Sequence, residues 1–208
     1  MKAIRLIALA ACMAATLDAA AQEQEIRLFS HRGGRMEHDE NTLSAFQASY
    51  DAGYRGFETD IRMTRDGALV ITHDSSLERT TDGTGTVEEK TEAEIRQLAT
   101  KQGNKMMFLD ELLEFLEGKE GLYVEFEMKT KPEVLYPEER LHAYCDKLYD
   151  AVMAVKPADA TFVFTSGDYR GLRYLQAKHP GVDLLLITSK PCNDETIDLC
   201  KAMGIKRM

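Results

Sequence analysis

The chain has 208 residues, 44% hydrophobic and 29% charged, a balance that excludes a disordered or fibrous polymer and supplies enough apolar material for a sizeable core. Its formal charge of -9 excludes the broad cationic face that a phosphate backbone requires, so no nucleic-acid partner is expected.

In chain order, residues 1-21 read as a signal peptide. Lys2 and Arg5 give a basic start, Leu6 to Leu17 an apolar stretch, and Ala19-Ala20-Ala21 a small-residue cleavage site before Gln22. The expected destination is the periplasm or the exterior. Leu9-Ala10-Ala11-Cys12 offers a competing lipoprotein reading with Cys12 lipidated; simple cleavage is favoured because only a short apolar run separates Arg5 from Cys12. No later segment has the length and apolarity of a transmembrane span.

Residues 22-208 read as one domain in which apolar runs alternate with helical patterns, the mark of βα units around a parallel sheet. Strands are expected at 26-30, 56-61, 68-72, 122-128, 161-165 and 183-187. Helices are expected at 42-52, 110-116, 138-155, 169-178 and 194-202, with Thr91-Glu92-Ala93-Glu94 as a capping box opening a short one. Beyond the signal, Cys145, Cys192 and Cys200 read as ordinary thiols, a Cys192 to Cys200 pair being the alternative.

Side chains alternate faces along a strand, so Phe57, Thr59 and Ile61 point one way and Glu58 and Asp60 the other. Val124, Phe126 and Met128 likewise oppose Glu125, Glu127 and Lys129. Inward carboxylates are unfavourable unless compensated, and a cation explains a Glu-x-Asp plus a further Glu; ligation by oxygen alone suits Mg²⁺ or Ca²⁺ rather than zinc. A solvated strand face in salt bridges is the bland alternative for Glu58 and Asp60 taken alone.

His31 follows the first strand and His73 the third, so four strand ends deliver His, carboxylate, His and carboxylate to one rim. Paired imidazoles beside a cation suit acid and base work on a phosphoryl group, and Arg32 and Lys129 add charge to hold the phosphate. Asp82-Gly83-Thr84-Gly85 reads as a turn rather than a phosphate cradle. His38, His142 and His179 read as surface residues.

The ordered series His31-Arg32-Gly33, Glu40-Asn41-Thr42, Glu58-Thr59-Asp60, Asp66-Gly67 through His73-Asp74, Leu77 through Gly85, Leu109-Asp110-Glu111 and Glu127-Met128-Lys129 resembles the glycerophosphodiester phosphodiesterase family. The resemblance is close over about residues 26 to 130. It implies an α/β fold, a (β/α)8 TIM-type barrel, in which Glu58, Asp60 and Glu127 hold one divalent metal, Ca²⁺ or Mg²⁺. His31 and His73 would be acid and base, with Arg32 and Lys129 on the substrate phosphate.

The implied activity is hydrolysis of small glycerophosphodiesters to glycerol 3-phosphate and an alcohol. A phospholipase acting on intact lipid and a catalytically inactive barrel are the alternatives. Asp39 stands where the family usually has Pro, and this is expected to loosen the loop after the first strand. Such barrels run to about 250 residues. Since roughly six strands precede Met208, the C-terminal part of the barrel is expected to be missing from this sequence.

Overall fold

In the computed structural model, which describes residues 28–208, six strands form one sheet. They are β1 (Phe29–His31), β2 (Gly56–Met63), β3 (Leu69–Ile71), β4 (Tyr123–Met128), β5 (Thr161–Ser166) and β6 (Leu184–Leu186). The sheet order is β1-β2-β4-β5-β6, every neighbour parallel, with β3 hydrogen-bonded to β2 alone. The helices are α1 (Leu43–Asp51), α2 (Glu92–Ile95), α3 (Leu109–Leu116), α4 (Glu138–Ala154), α5 (Tyr169–Lys178) and α6 (Asp194–Ala202). Parallel strands adjacent in chain order, with helices between them, give the winding of a TIM-type barrel. After α6 the chain returns to the sheet, where Arg207 makes a parallel bridge to Leu185. The expected signal segment, 1-21, with Cys12 in it, lies outside the described residues.

One expected strand runs the other way. Segment 68-72, read as a third parallel strand, pairs antiparallel with β2 in the register Ile61↔Ile71 and Met63↔Leu69. A parallel return needs a crossover of about a dozen residues. Here a short turn through Asp66-Gly67, with Gly67 at φ +92, folds the chain straight back. His73 therefore descends to the level of Asp60, whose carbonyl accepts from the Thr72 N–H at 2.9 Å.

The core lies on the face carrying Phe57, Ile61, Val124, Phe126, Phe162 and Phe164, all buried. Helix α4 covers it with Leu141, Tyr144, Cys145, Leu148 and Val152, a 3.6-residue stripe. Truncating Phe126 to Ala there would cost about 3–5 kcal/mol. A separate cluster of Val70, Leu77, Val87, Ile95, Met106 and Phe108 packs the excursion between β3 and α3. Thr91 and Glu94 cap α2 reciprocally, as expected. The three cysteines of this region are free thiols, with only Cys192 exposed.

Candidate active site

The site is built at the carboxyl ends of the parallel strands. Register places His31 beside Glu58, and Asp60 beside Glu127. Ligand oxygens of Glu58, Asp60 and Glu127 lie within 4.8 Å of one another. Glu58 and Asp60 are 8% and 0% exposed, and burial together with the Asp60 and Glu127 carboxylates pushes the Glu58 carboxyl up to about 9. Burial raises Glu127 as well, against the pull of Lys129. Glu58 Oε1 and Asp60 Oδ1 are buried without a hydrogen-bond partner. Three crowded carboxylates, with Glu58 Oε1 unpartnered and Asp60 Oδ1 met only by the Lys129 charge, fit a hard divalent cation, for which oxygen ligands are suited.

Two cations flank the cluster. Lys129 Nζ donates to Glu127 Oε1 at 2.6 Å and lies 3.2 Å from Asp60 Oδ1. Arg32 Nε lies 3.2 Å from Asp60 Oδ2 as a charge contact, and Nη1 donates to Glu40 at 3.3 Å. Arg32 adopts φ 55, a left-handed conformation uncommon for a residue with a side chain. It is held there because its N–H donates to the Glu58 carbonyl at 3.0 Å. Gly33 follows at φ +74, where a Cβ would stand 2.9 Å from that of Ala45; hence His-Arg-Gly rather than His-Arg-Ala.

The histidines are the accessible groups. His31 is 47% and His73 31% exposed in their side chains. His31 Nε2 lies 3.4 Å from Glu58 Oε2; burial and the charges of Arg32 and Arg35 lower its pKa. His73 Nδ1 is 2.6 Å from Asp74 Oδ1. Although partial burial opposes it, hydrogen bonds from Arg79 and His73 hold the Asp74 carboxyl down at about 2. An ionised carboxylate only accepts, so it selects the tautomer with the proton on Nδ1 and leaves the Nε2 lone pair free of it.

The structure thus brings all seven predicted site residues to one rim and adds four that the strand-face argument did not single out. Arg79 ion-pairs with Asp74 and with Glu40, and Glu40 with Arg32, so a chain of charges joins the two histidine loops. Asn41, at φ 58, donates from Nδ2 to Asp60 Oδ2 at 2.9 Å. Thr42 then caps α1. Glu40, Asn41, Asp74 and Arg79 all fall within motifs quoted above, where a polar residue next to a site residue was the available signal.

Two expectations are corrected. Asp39 does not loosen its loop: it accepts hydrogen bonds from Thr100 and, at 2.9 Å, from Asn104, tying the loop to the excursion. His179 is half-buried rather than on the surface, stacked on Tyr149 with Nε2 buried, while His142, stacked on Tyr174, keeps 37% of its side chain exposed. A cleft of about 420 Å³ opens beside the site between His73, Ser75, Lys129, Thr130, Ser166 and Asp168. A larger groove of about 700 Å³, between α1 and α3, is lined by none of Glu58, Asp60 and Glu127 and by neither histidine.

Residues 31–206 match the model of the glycerophosphoryl diester phosphodiesterase family. A glycerophosphodiester phosphodiesterase of Caldanaerobacter subterraneus subsp. tengcongensis is 37% identical over 123 residues, covering 55% of this chain and 50% of that protein. One from Bacillus altitudinis is 30% identical over 111 residues, covering 50% and 45%. The chain spans about half the length of these curated relatives. Among solved structures, a putative glycerophosphoryl diester phosphodiesterase of Silicibacter pomeroyi superposes with TM-score 0.77 at 23% identity, covering 88% of this chain and 74% of that one, a likeness of fold. One from Parabacteroides distasonis gives TM-score 0.66 at 26% identity, covering 88% and 61%.

Proposed function

Since the chain belongs to the glycerophosphoryl diester phosphodiesterase family, we propose that it hydrolyses glycerophosphodiesters to sn-glycerol 3-phosphate and an alcohol, with one Ca²⁺ or Mg²⁺ held by Glu58, Asp60 and Glu127. The observation that carries the reading is the trio of crowded, buried carboxylates, Glu58 Oε1 among them unpartnered, flanked by two accessible imidazoles. A bound divalent cation supplies Lewis-acid stabilisation of the phosphoryl oxygens.

The chain's own residues do the rest. Arg32 and Lys129 donate to the non-bridging oxygens and offset charge as it builds in the transition state. The two histidines divide the proton work. One imidazole takes the proton of the attacking water as its oxygen bonds to phosphorus. The other delivers a proton to the alcohol oxygen as its bond to phosphorus breaks. Asp74 holds the Nδ1 proton of His73, so that proton transfer takes place at Nε2, and Arg79 keeps Asp74 in place.

The test is release of choline and glycerol 3-phosphate from glycerophosphocholine, with chelation and restoration of Ca²⁺ or Mg²⁺. Turnover that persists in chelator defeats the metal reading, and release only from intact phosphatidylcholine defeats the substrate reading. Among the described residues no helix is long and apolar enough to cross a membrane. We further propose export through residues 1-21, which supports action on head groups outside the cytoplasm; N-terminal sequencing of the mature protein should begin at Gln22.

A further inference from the structure

Arg62 and Glu88 form no hydrogen bond with a side chain assigned to the chemistry, yet both are almost fully buried at its edge, each 7% exposed. Arg62 shares the inward face of β2 with Glu58 and Asp60, one repeat nearer the rim. Its guanidinium holds two backbone carbonyls that no ladder secures. Nε donates to the His73 carbonyl at 3.0 Å and Nη1 to the Lys129 carbonyl at 3.3 Å. β3 ends at Ile71 and β4 at Met128, so each carbonyl lies just beyond its strand.

Glu88 orients that guanidinium, accepting from Nη1 at 2.8 Å. Glu88 is itself fixed by the Tyr136 hydroxyl at 3.0 Å and the Ser75 hydroxyl at 2.6 Å. The Tyr136 oxygen also accepts from the Met63 N–H at 3.1 Å. A buried ion pair is weak support for stability, but a planar five-donor fork holds two acceptors in fixed directions, whereas a lysine ammonium on a flexible stem does not fix their geometry. We propose that Arg62, oriented by Glu88, is the positioning residue that sets the placement of His73 relative to Lys129. This inference rests on the proton-transfer and phosphate roles given to those two residues above.

The test is a set of double-mutant cycles on glycerophosphocholine turnover. Arg62→Lys keeps the charge and should lower kcat by about tenfold or more, since misplacement of roughly 1 Å can cost about a hundredfold. Effects of residues that act as a unit are non-additive, so this factor should shrink to about twofold or less in His73→Ala and in Lys129→Ala backgrounds. In His31→Ala, whose histidine Arg62 does not hold, it should persist in full. An equal factor in all three backgrounds, or a reduction in only one of the first two, overturns the proposal. Glu88→Gln, which keeps volume and one acceptor oxygen but removes the charge, should show the same pattern with a smaller factor and serves if Arg62→Lys does not fold.

A readout free of turnover separates this inference from the functional reading. In the proton NMR spectrum, Arg62→Lys should move the His73 ring resonances and leave those of His31 in place, with assignments from the two His→Ala variants. A protein inactive on glycerophosphodiesters defeats the functional reading. Unmoved His73 resonances defeat the clamp.

Discussion

Glu125 and Glu127 both point inward from β4, and replacing each by Gln should separate ligand from bystander. Glu127 contributes an oxygen within 4.8 Å of those of Glu58 and Asp60. Glu125 sits two residues lower, roughly 6.6 Å along the strand. It is half-buried, and Tyr123 and Arg207 act on it. Removing one of three anionic ligands should weaken Ca²⁺ or Mg²⁺ binding by about a hundredfold, close to 2.7 kcal/mol at about 1.4 kcal/mol per decade. With metal at about 100 times the Kd of the unaltered protein, binding stabilises the fold by about 2.7 kcal/mol. A hundredfold weaker site at the same concentration contributes about 0.4 kcal/mol. At about 2–4 °C per kcal/mol, the metal-induced rise in Tm should fall from about 5–11 °C to about 1–2 °C. Without metal, Glu127→Gln should melt no lower than the unaltered protein, because it relieves repulsion among buried carboxylates. Calorimetric titration and melting with and without metal measure both halves. Equal losses at the two positions, or a greater one for Glu125→Gln, would refute the assignment.

His31→Ala and His73→Ala should each reduce turnover by about a hundredfold or more and leave metal affinity within about threefold, because proton transfer is lost while the carboxylates remain. Near-normal turnover in either variant, on a substrate with a poor leaving group, would remove that histidine from the chemistry. Asp74→Asn frees the His73 tautomer and should lower kcat by about tenfold or more, with metal binding unchanged. The same variant carries a pH signature. Asp74 is held at about 2, below its ordinary value of 3.8, so its contribution to stability is full above pH 4 and fades as pH falls toward 2. The fall in Tm between pH 4 and 2 should therefore be shallower in Asp74→Asn, and an unchanged slope would show that the carboxylate is not pinned. Asp39→Ala removes acceptors for Thr100 and Asn104 and should lower stability by about 1–2 kcal/mol, with faster proteolysis at residues 100-104. Unaltered melting and cleavage would mean that the loop does not depend on this tie.

What the sequence made legible was periodicity, and what it hid was direction and distance. Alternation along 56-61 and 122-128 was enough to put Glu58, Asp60 and Glu127 on one face, because a two-residue repeat survives any tertiary arrangement. Helix limits were legible where a cap marks them: Thr42 and Thr91 accept from backbone N–H groups two or three residues into their helices. Strand direction has no such signature in a short apolar run, and Leu69-Val70-Ile71 reads the same either way. The turn residues did hold the answer: Asp66-Gly67 so soon after Met63 leaves no room for a crossover helix.

The inward polar residues beyond the carboxylate trio were hidden for a different reason. Arg62 lies two residues past Asp60 on the same face, yet the value of its position comes from His73, 11 residues away, from Glu88, 26 away, and from Lys129, 67 away. A charged residue that completes a network across such separations looks, in one dimension, like any solvated arginine. Its burial is what distinguishes it. A buried guanidinium must find anions or carbonyls, and here the carbonyls belong to the two loops that carry an imidazole and an ammonium group to the same rim.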